Sequence, residues 1–454
     1  MPIINTENIT ITNNIHVTVP ASSRFMSTYI LHEQNDWFED EIKFIRHFVK
    51  PGMRVIDIGA NYGVYTLTIA KIIGNSGKIW SFEPTEATAS CLKQSISKNK
   101  FNNIKLIQYG LSDRIGNAKF FTSPNSELNT LSKDTLDTNQ HETISLLTLD
   151  HCKSKYKWDE IDLIKLDAEG EENNILKKGR KALSTLSPLI MFELMHGKEV
   201  NLPLINRFKS MGYDSYRLIP YLNILIPFDH NEKYDSYLLN LFCCKKDKAK
   251  QLEDEKIIVK NWDPITTVDN EVAKRYIKQQ PYGKILSNIN NTSASDDYLF
   301  ILNTYAMTLS DKIENSDKIA YLMSSFKRLL NMIDKGEHRV ERLVTFSRIA
   351  FDTGERKLGV KILTELYSKY NSNINYELTE PFFPASNRYD SINPNSNIND
   401  WLFSSIIEQL IEKHAFSTYY SKNSTLPLFK QLNTLGYMNK DMEKRYKLAS
   451  SCFS

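Results

Sequence analysis

Short apolar runs alternate with amphipathic segments along the first half of the chain. Because most of these runs are apolar almost throughout, they are expected to form strands buried on both faces, as in a parallel sheet between helices. The pattern therefore predicts a doubly wound α/β domain. Its strands are expected at 53–58, 78–83, 104–109, 161–167 and 188–194, and its helices at 61–73, 86–99, 171–178 and 199–211.

Some segments depart from this alternation. Leu111–Phe121 is predicted to form a hairpin around Gly116, where a turn interrupts two β-prone pieces. Tyr213–Ile219 and Tyr237–Cys244 are predicted strands with no clear helix between them, so we expect them to end the sheet as an antiparallel pair. Residues 1–34 contain only short β-prone pieces and are expected to form an N-terminal extension.

The pattern changes after residue 246. Residues 247–297 are polar and partly rich in Asn and Ser, which is typical of a linker or a loosely packed segment. Residues 298–454 show helical periodicity, and within them residues 338–370 resemble one tetratricopeptide-like helix pair without a recognisable second copy. We therefore expect an α/β domain over 35–246, a linker, and an α-helical domain of unknown role.

Composition limits the classes of function. The chain has 454 residues and a formal net charge of +3, which is too small to indicate a nucleic-acid partner. Its five cysteines lack the paired spacing of a zinc site or a disulfide framework, so no metal site is expected. The same scarcity of cysteine pairs predicts a reducing, cytoplasmic location. No run approaches the length of apolar sequence that spans a membrane.

Candidate chemistry begins at the end of the first predicted strand. Asp57 is followed by Gly59, Asn61 and Gly63, a spacing that permits a tight turn into a helix. A carboxylate at this position repels a pyrophosphate and favours a cationic ligand, which indicates S-adenosylmethionine rather than NAD. Glu83, at the end of the second predicted strand, is placed to accept hydrogen bonds from the ribose hydroxyls of such a cofactor.

The later strand ends also carry polar side chains. Ser112 follows the third strand and is expected beside the adenine, Asp167 and Glu169 follow the fourth, and Glu193 and His196 follow the fifth. Because the carboxyl ends of parallel strands meet at one edge, the last four are candidates to orient or deprotonate an acceptor hydroxyl. Helix capping is the competing interpretation for Asp167 and Glu169, and a structural role is the competing one for His196. A Mg²⁺ ion held by the three carboxylates is a minor alternative.

Together these pieces resemble the FkbM family of S-adenosylmethionine-dependent methyltransferases, over about residues 30–245. The resemblance implies a Rossmann-like class I methyltransferase fold and methyl transfer to oxygen on sugars, polyketides or other small-molecule or glycan acceptors. Glu171 departs from the family pattern, which has an aromatic or apolar residue there. The matching motifs are Asp57-x-Gly59-x-Asn61-x-Gly63, Phe82-Glu83-Pro84, Leu111-Ser112-Asp113, Thr148-Leu149-Asp150, Asp167-x-Glu169-Gly170-x-Glu172 and Glu193.

Two other functions fit parts of the sequence. In the first, the chain is a methyltransferase-like scaffold whose helical half recruits protein partners or a second copy of the chain; the intact glycine loop and Glu83 argue against an inactive site. In the second, the chain is an NAD-dependent oxidoreductase, but that fold requires a third loop glycine in the region where Tyr65 and Thr66 stand.

Overall fold

The structure, a computed structural model, describes residues 5–121, 141–196, 199–229, 234–287, 294–371, 377–394 and 397–453. The chain divides into two compact units. The first contains residues 1–218, 225–232 and 238–258, and the second contains 219–224, 233–237 and 259–454. Among the described residues, no helix combines the length and the apolar character needed to cross a bilayer.

The first part of the chain, up to residue 258, contains all the strands that the structure describes. The strands are β1 Thr6–Ile11, β2 Ile15–Pro20, β3 Arg54–Ile58, β4 Lys78–Phe82, β5 Ile104–Ile107, β6 Gly110–Leu111, β7 Gly116–Phe121, β8 His141–Leu147, β9 Leu163–Leu166, β10 Leu189–Glu193, β11 Met195–His196, β12 Glu199–Val200, β13 Tyr213–Ile219, β14 Ile224–Pro227 and β15 Asn240–Lys245. The helices are α1 Met26–Gln34, α2 Glu41–Phe48, α3 Val64–Ile73, α4 Glu86–Asn99, α5 Leu149–Tyr156, α6 Glu172–Lys177, α7 Arg180–Leu186, α8 Leu202–Ser210 and α9 Lys246–Asp254.

The central sheet has the strand order β14-β13-β15-β10-β9-β3-β4-β5. Neighbours from β10 to β5 in this order are parallel, whereas β15 is antiparallel to both β10 and β13. This arrangement confirms the predicted doubly wound fold with an antiparallel terminal strand. The N-terminal residues form a separate antiparallel hairpin, β1-β2.

The predicted hairpin over Leu111–Phe121 is wrong. Strands β6 and β7 do not pair with each other; each pairs with one edge of β8, giving the order β6-β8-β7. Strand β8 carries the buried side chains Ile144, Leu146 and Leu147, whereas β7 has no fully buried residue. The more apolar strand, β8, therefore takes the central position. The sequence around Gly116 indicates only a turn and does not show that a third strand lies between β6 and β7.

Strand β9 shows how the sheet is buried on both faces. Leu163 packs in the apolar cluster on one face, and Ile164 and Leu166 pack in the cluster on the other. Because alternate residues of a strand share a face, Lys165 lies on the same face as Leu163. The Lys165 side chain is only 7% exposed, so its ammonium group requires partners within the protein.

The second unit is helical. The predicted helix pair is confirmed by α14 and α15, which are separated by Gly354 in the left-handed conformation, with φ of +85°. Successive helices from α12 to α16 pack against each other in chain order. The helices after residue 258 are α10 Val272–Gln279, α11 Gly283–Ser287, α12 Asp296–Thr308, α13 Asn315–Asp334, α14 Val340–Thr353, α15 Arg356–Asn371, α16 Ile398–Lys413, α17 Thr418–Ser421, α18 Leu426–Thr434 and α19 Lys440–Phe453.

The stretch 247–297, expected from its composition to be a linker, contains most of α9 and all of α10 and α11. Each of the first two helices buries only two side chains, Ala249 and Leu252 in α9 and Ala273 and Ile277 in α10. Such narrow apolar stripes leave the rest of each helix polar, which is why composition alone indicated a linker.

Helix α8 provides a matched test of core packing. Replacing the fully buried Leu204 by alanine is expected to lower the free energy of unfolding of the first unit by about 2–5 kcal/mol, because it leaves a cavity. Leu202 lies in the same helix but is 41% exposed, so Leu202→Ala is the control and should change stability by less than about 0.5 kcal/mol. Urea unfolding of the full chain measures both, and similar losses would contradict the assigned burial.

Candidate functional site

The loop between β3 and α3 depends on glycine at two positions. Gly59 and Gly63 both have positive φ, +78° and +88°. A Cβ atom on Gly59 would lie 1.7 Å from the carbonyl oxygen of Asp167, and one on Gly63 would lie 2.2 Å from Leu92 Cδ1. The ends of β3 and β9 are therefore in direct backbone contact at this loop, and no other residue fits there without displacing one of them.

Asp57 lies below this loop and is completely buried. Thr66, in the first turn of α3, donates a hydrogen bond from its hydroxyl to Asp57 Oδ2 at 2.6 Å. The other oxygen, Oδ1, has no hydrogen-bond partner among the described residues and lies 4.0 Å from Lys165 Nζ. Burial raises the pKa of Asp57, an effect that Lys165 and Thr66 only partly offset. The carboxyl group is thus held by the chain's own side chains beneath the turn.

Glu83, after β4, is nearly buried and ties the second strand end to the glycine loop. Its Oε2 accepts a hydrogen bond from the backbone N–H of Asn61, and its Oε1 accepts bonds from the N–H and the hydroxyl of Thr85. Burial raises the pKa of Glu83 despite these donors. Each carboxylate oxygen has two acceptor sites, so Oε2 keeps one for a ligand.

Ser112 is also buried, and it links the third strand region to the loop after β9. Its backbone N–H donates to Leu147, and its hydroxyl donates to Glu171 Oε2 at 2.7 Å. Asn174 donates to both oxygens of the same glutamate. Glu171, the residue that departs from the family pattern, therefore holds the predicted adenine-side serine.

The end of β9 carries an ion pair in a nearly buried position. Lys165 Nζ donates to Asp167 Oδ2 at 2.7 Å, and it lies 5.2 Å from the centre of the Tyr65 ring. The Tyr65 hydroxyl in turn donates to Glu39. Burial alone would lower the pKa of Lys165, but the neighbouring Asp167 and Asp57 outweigh it and raise the pKa above its usual range. Lys165 therefore carries a positive charge.

The turn after β9 is shaped by Glu172, which is buried at the start of α6. Its Oε1 accepts hydrogen bonds from the backbone N–H groups of Ala168 and Gly170. Glu169, between them, has a positive φ of 48°. These bonds hold the turn that precedes α6 and do not cap the helix, while the Asp167 side chain forms the ion pair with Lys165.

Glu193 ends β10, next to Asp167 on the neighbouring strand, because Phe192 pairs with Leu166 one position earlier. Burial, followed by repulsion from Asp167 and Glu172, raises the pKa of Glu193 to about 9. This group is therefore a neutral carboxylic acid near pH 7. The backbone of His196 forms part of β11, but its side chain lies outside the described residues.

The structure thus places Asp57, Gly59, Asn61, Gly63, Glu83, Asp167, Glu169 and Glu193 at the carboxyl ends of adjoining strands of the central sheet or in the loops that follow them, whereas Ser112 follows β6 of the separate three-stranded sheet. The sequence interpretation missed Lys165, although a lone lysine inside an apolar strand is a recognisable signal. It also missed Tyr65, whose ring lies beside the Lys165 ammonium group and whose hydroxyl donates to Glu39. Within the described ranges, no group of three or more His, Cys, Asp or Glu side chains is positioned to hold a metal ion.

Part of the first unit is similar to known proteins. A family model described as the methyltransferase FkbM domain matches residues 57–215. A curated relative from Sulfurisphaera tokodaii, named probable cobalt-precorrin-6B C(15)-methyltransferase (decarboxylating), is 32% identical over 57 residues, which is 13% of this chain. The chain spans only 30% of the length of that relative.

Solved structures of methyltransferases are also similar to part of the chain. Methyltransferase FkbM from Methylobacillus flagellatus KT is 18% identical with a TM-score of 0.30, covering 42% of this chain and 43% of that one. A SAM-dependent methyltransferase from Aquifex aeolicus is 13% identical with a TM-score of 0.28, covering 47% of this chain and 91% of that one. Residues 57–215 thus contain a methyltransferase FkbM domain.

Proposed function

We propose that this methyltransferase acts on oxygen, methylating a hydroxyl of a sugar, a glycan or another small-molecule acceptor. The cofactor S-adenosylmethionine supplies the methyl group from a sulfonium centre and leaves as a neutral thioether. The observation that carries the proposal is the group of carboxyls at the ends of β9 and β10, Asp167, Glu169 and Glu193. Carboxyl groups bind hydroxyls and, when charged, deprotonate them.

The cofactor is assigned to the glycine loop and the neighbouring strand ends. Gly59, Asn61 and Gly63 would surround it with backbone, and Glu83 has a remaining acceptor site for a ribose hydroxyl. Ser112 keeps acceptor capacity for the adenine side, since its hydroxyl proton is used by Glu171. Asp57 lies beneath the loop and would act on the cofactor indirectly, through the shape of the loop and through its carboxyl group. These residues fit a ligand that is cationic and rich in hydroxyls.

The acceptor side requires a group that takes a proton and groups that orient the hydroxyl. Asp167, Glu169, Glu193 and His196 remain the candidates for these roles. The two neighbouring carboxyls differ in charge: Asp167 is paired with an ammonium group, whereas Glu193 stays protonated near neutral pH. A charged carboxylate beside a carboxylic acid supplies one proton acceptor and one hydrogen-bond donor, a combination that suits a hydroxyl with a neighbouring oxygen.

The cofactor assignment predicts the effect of Glu83→Gln. The amide is similar in size but lacks the charge, so affinity for S-adenosylmethionine should fall about 10–100-fold, measured by calorimetry on the full chain. Glu86 lies three residues further on, is exposed, and provides the matched control Glu86→Gln. Equal affinities in the two variants would overturn the role of Glu83.

The raised pKa of Glu193 predicts that the stability of the fold depends on pH. Its pKa is raised from 4.5 to about 9, so between these values the folded protein holds a proton that the unfolded chain releases. Stability is therefore lost as pH rises through this window. Glu193→Gln does not titrate, so its melting temperature should fall less than that of the wild type between about pH 5 and about pH 8.5. A parallel decline in both proteins would contradict the buried, protonated state.

The acceptor class is tested by incubating the protein with methyl-labelled S-adenosylmethionine and a cell-envelope glycan extract. We expect label in hydroxyl groups of carbohydrate with the wild type and background levels with Asp57→Ala, which removes the buried carboxyl below the glycine loop. Label that enters protein or lipid instead would overturn the proposed acceptor while leaving the methyltransferase activity intact.

A further inference from the structure

Lys165 occupies an unusual position for a lysine. It lies in the middle of the sheet, between β3 and β10, and in register with Asp57 on one side and Met191 on the other. Its side chain is 7% exposed, whereas that of its partner Asp167 is 33% exposed. The ion pair therefore connects a buried cation to a carboxylate at the edge of the crevice.

A purely structural role would make Lys165 a counter-ion for Asp57. The distances favour a different role, since Lys165 Nζ is 2.7 Å from Asp167 Oδ2 but 4.0 Å from Asp57 Oδ1. Asp57 also receives its closest hydrogen bond from Thr66, so Lys165 is not its main partner. The ammonium group is thus aimed mainly at the carboxylate that reaches solvent.

We infer that Lys165 is a positioning residue for methyl transfer, which holds one oxygen of Asp167 so that the other oxygen of this carboxylate takes the proton of the acceptor hydroxyl. This inference rests on the proposed function, because it assigns the base within that site. Among the described residues, no hydrogen bond reaches Asp167 Oδ1. That oxygen is therefore available to an acceptor.

The proton balance of this step is simple. The O–H bond of the acceptor breaks and its proton moves to Asp167 Oδ1. An electron pair of the acceptor oxygen forms the new bond to the methyl carbon. The pair from the broken sulfur–carbon bond stays on sulfur. Lys165 gives up no proton, which agrees with its raised pKa, and acts only through Asp167.

Several other titratable groups face the same ion pair, and all except one tyrosine are carboxyls. A cation in their midst favours the charged form of the nearest one, and their mutual repulsion favours protonation of the rest. Burial, together with repulsion from Asp167 and Glu172, raises the pKa of Glu193 and so favours its protonated form. The groups are Asp57 on β3, Glu39 before α2, Tyr65 on α3, Glu172 on α6 and Glu193 on β10.

The test compares Lys165→Met with Lys165→Arg in the full chain. In the protein without ligand, at a fixed pH near 7, the ¹³C resonance of the Asp167 carboxyl carbon, assigned with Asp167→Asn, should move in Lys165→Met relative to the wild type, because that variant lacks the donor that holds Oδ2. Lys165→Arg keeps a cationic donor and should leave this resonance close to its wild-type position. The exposed Lys43, which pairs with Asp40, provides the control Lys43→Met, expected to have no effect.

The second measurement separates positioning from binding. In Lys165→Met, label transfer to the glycan extract should fall about 100-fold or more near pH 7, with the acidic limb of its pH profile displaced upward. The affinity for S-adenosylhomocysteine, measured by calorimetry, should change less than about tenfold, and Lys165→Arg should restore much of the rate.

Two results would overturn the inference. One is an unchanged ¹³C resonance of the Asp167 carboxyl carbon in Lys165→Met, and the other is an equal loss of transfer and of S-adenosylhomocysteine affinity, which would reduce Lys165 to a structural counter-ion. If Lys165→Met does not fold, Asp167→Asn takes its place: retained transfer in that variant would overturn the assigned base. Absence of label from the extract with the wild type contradicts the proposed acceptor instead, and the Asp167 resonance still decides the role of Lys165.

Discussion

The contact between the ends of β3 and β9 is the constraint on which the site depends. At this point Gly59 lies against the backbone of Asp167, closer than any side chain would allow, and two residues earlier on each strand Asp57 lies in register with Lys165. The first contact brings the glycine loop and the turn after β9 together, and the second places a buried ammonium group between two carboxyls. The proposed cofactor side and the proposed acceptor side are therefore parts of one packed unit.

Burial and the nearest charged neighbours determine which titratable groups of this unit are charged. Lys165 is fixed in its charged form by Asp167 and Asp57, while Glu193 next to them is driven to its neutral form. Of these two carboxyls on adjacent strands, Asp167 forms the ion pair with Lys165, whereas burial and repulsion from Asp167 and Glu172 favour the neutral form of Glu193. Burial also raises the pKa of Glu83, and its three hydrogen-bond donors from the loop and from Thr85 offset this rise only in part.

Many elements of the fold were predictable from the local sequence. Apolar runs located the central strands, and the bounds of α4 and β13 agree with the predicted ones because each segment has a strong pattern and clear ends. The hairpin over Leu111–Phe121 failed because its two strands are separated by β8, whose position depends on pairing over a long stretch of chain. Helices α9 and α10 were missed because each buries only two side chains.

The sequence by itself determined the fold class of the first unit, the order of the candidate site residues and the need for glycine at 59 and 63, since these follow from periodicity, spacing and backbone freedom. Only the tertiary structure decided which polar groups are partners: that Lys165 bonds to Asp167, that Glu171 holds Ser112, and that Glu172 shapes the turn around Glu169. Such pairings depend on the register of neighbouring strands and on burial, and neither can be derived from the local sequence.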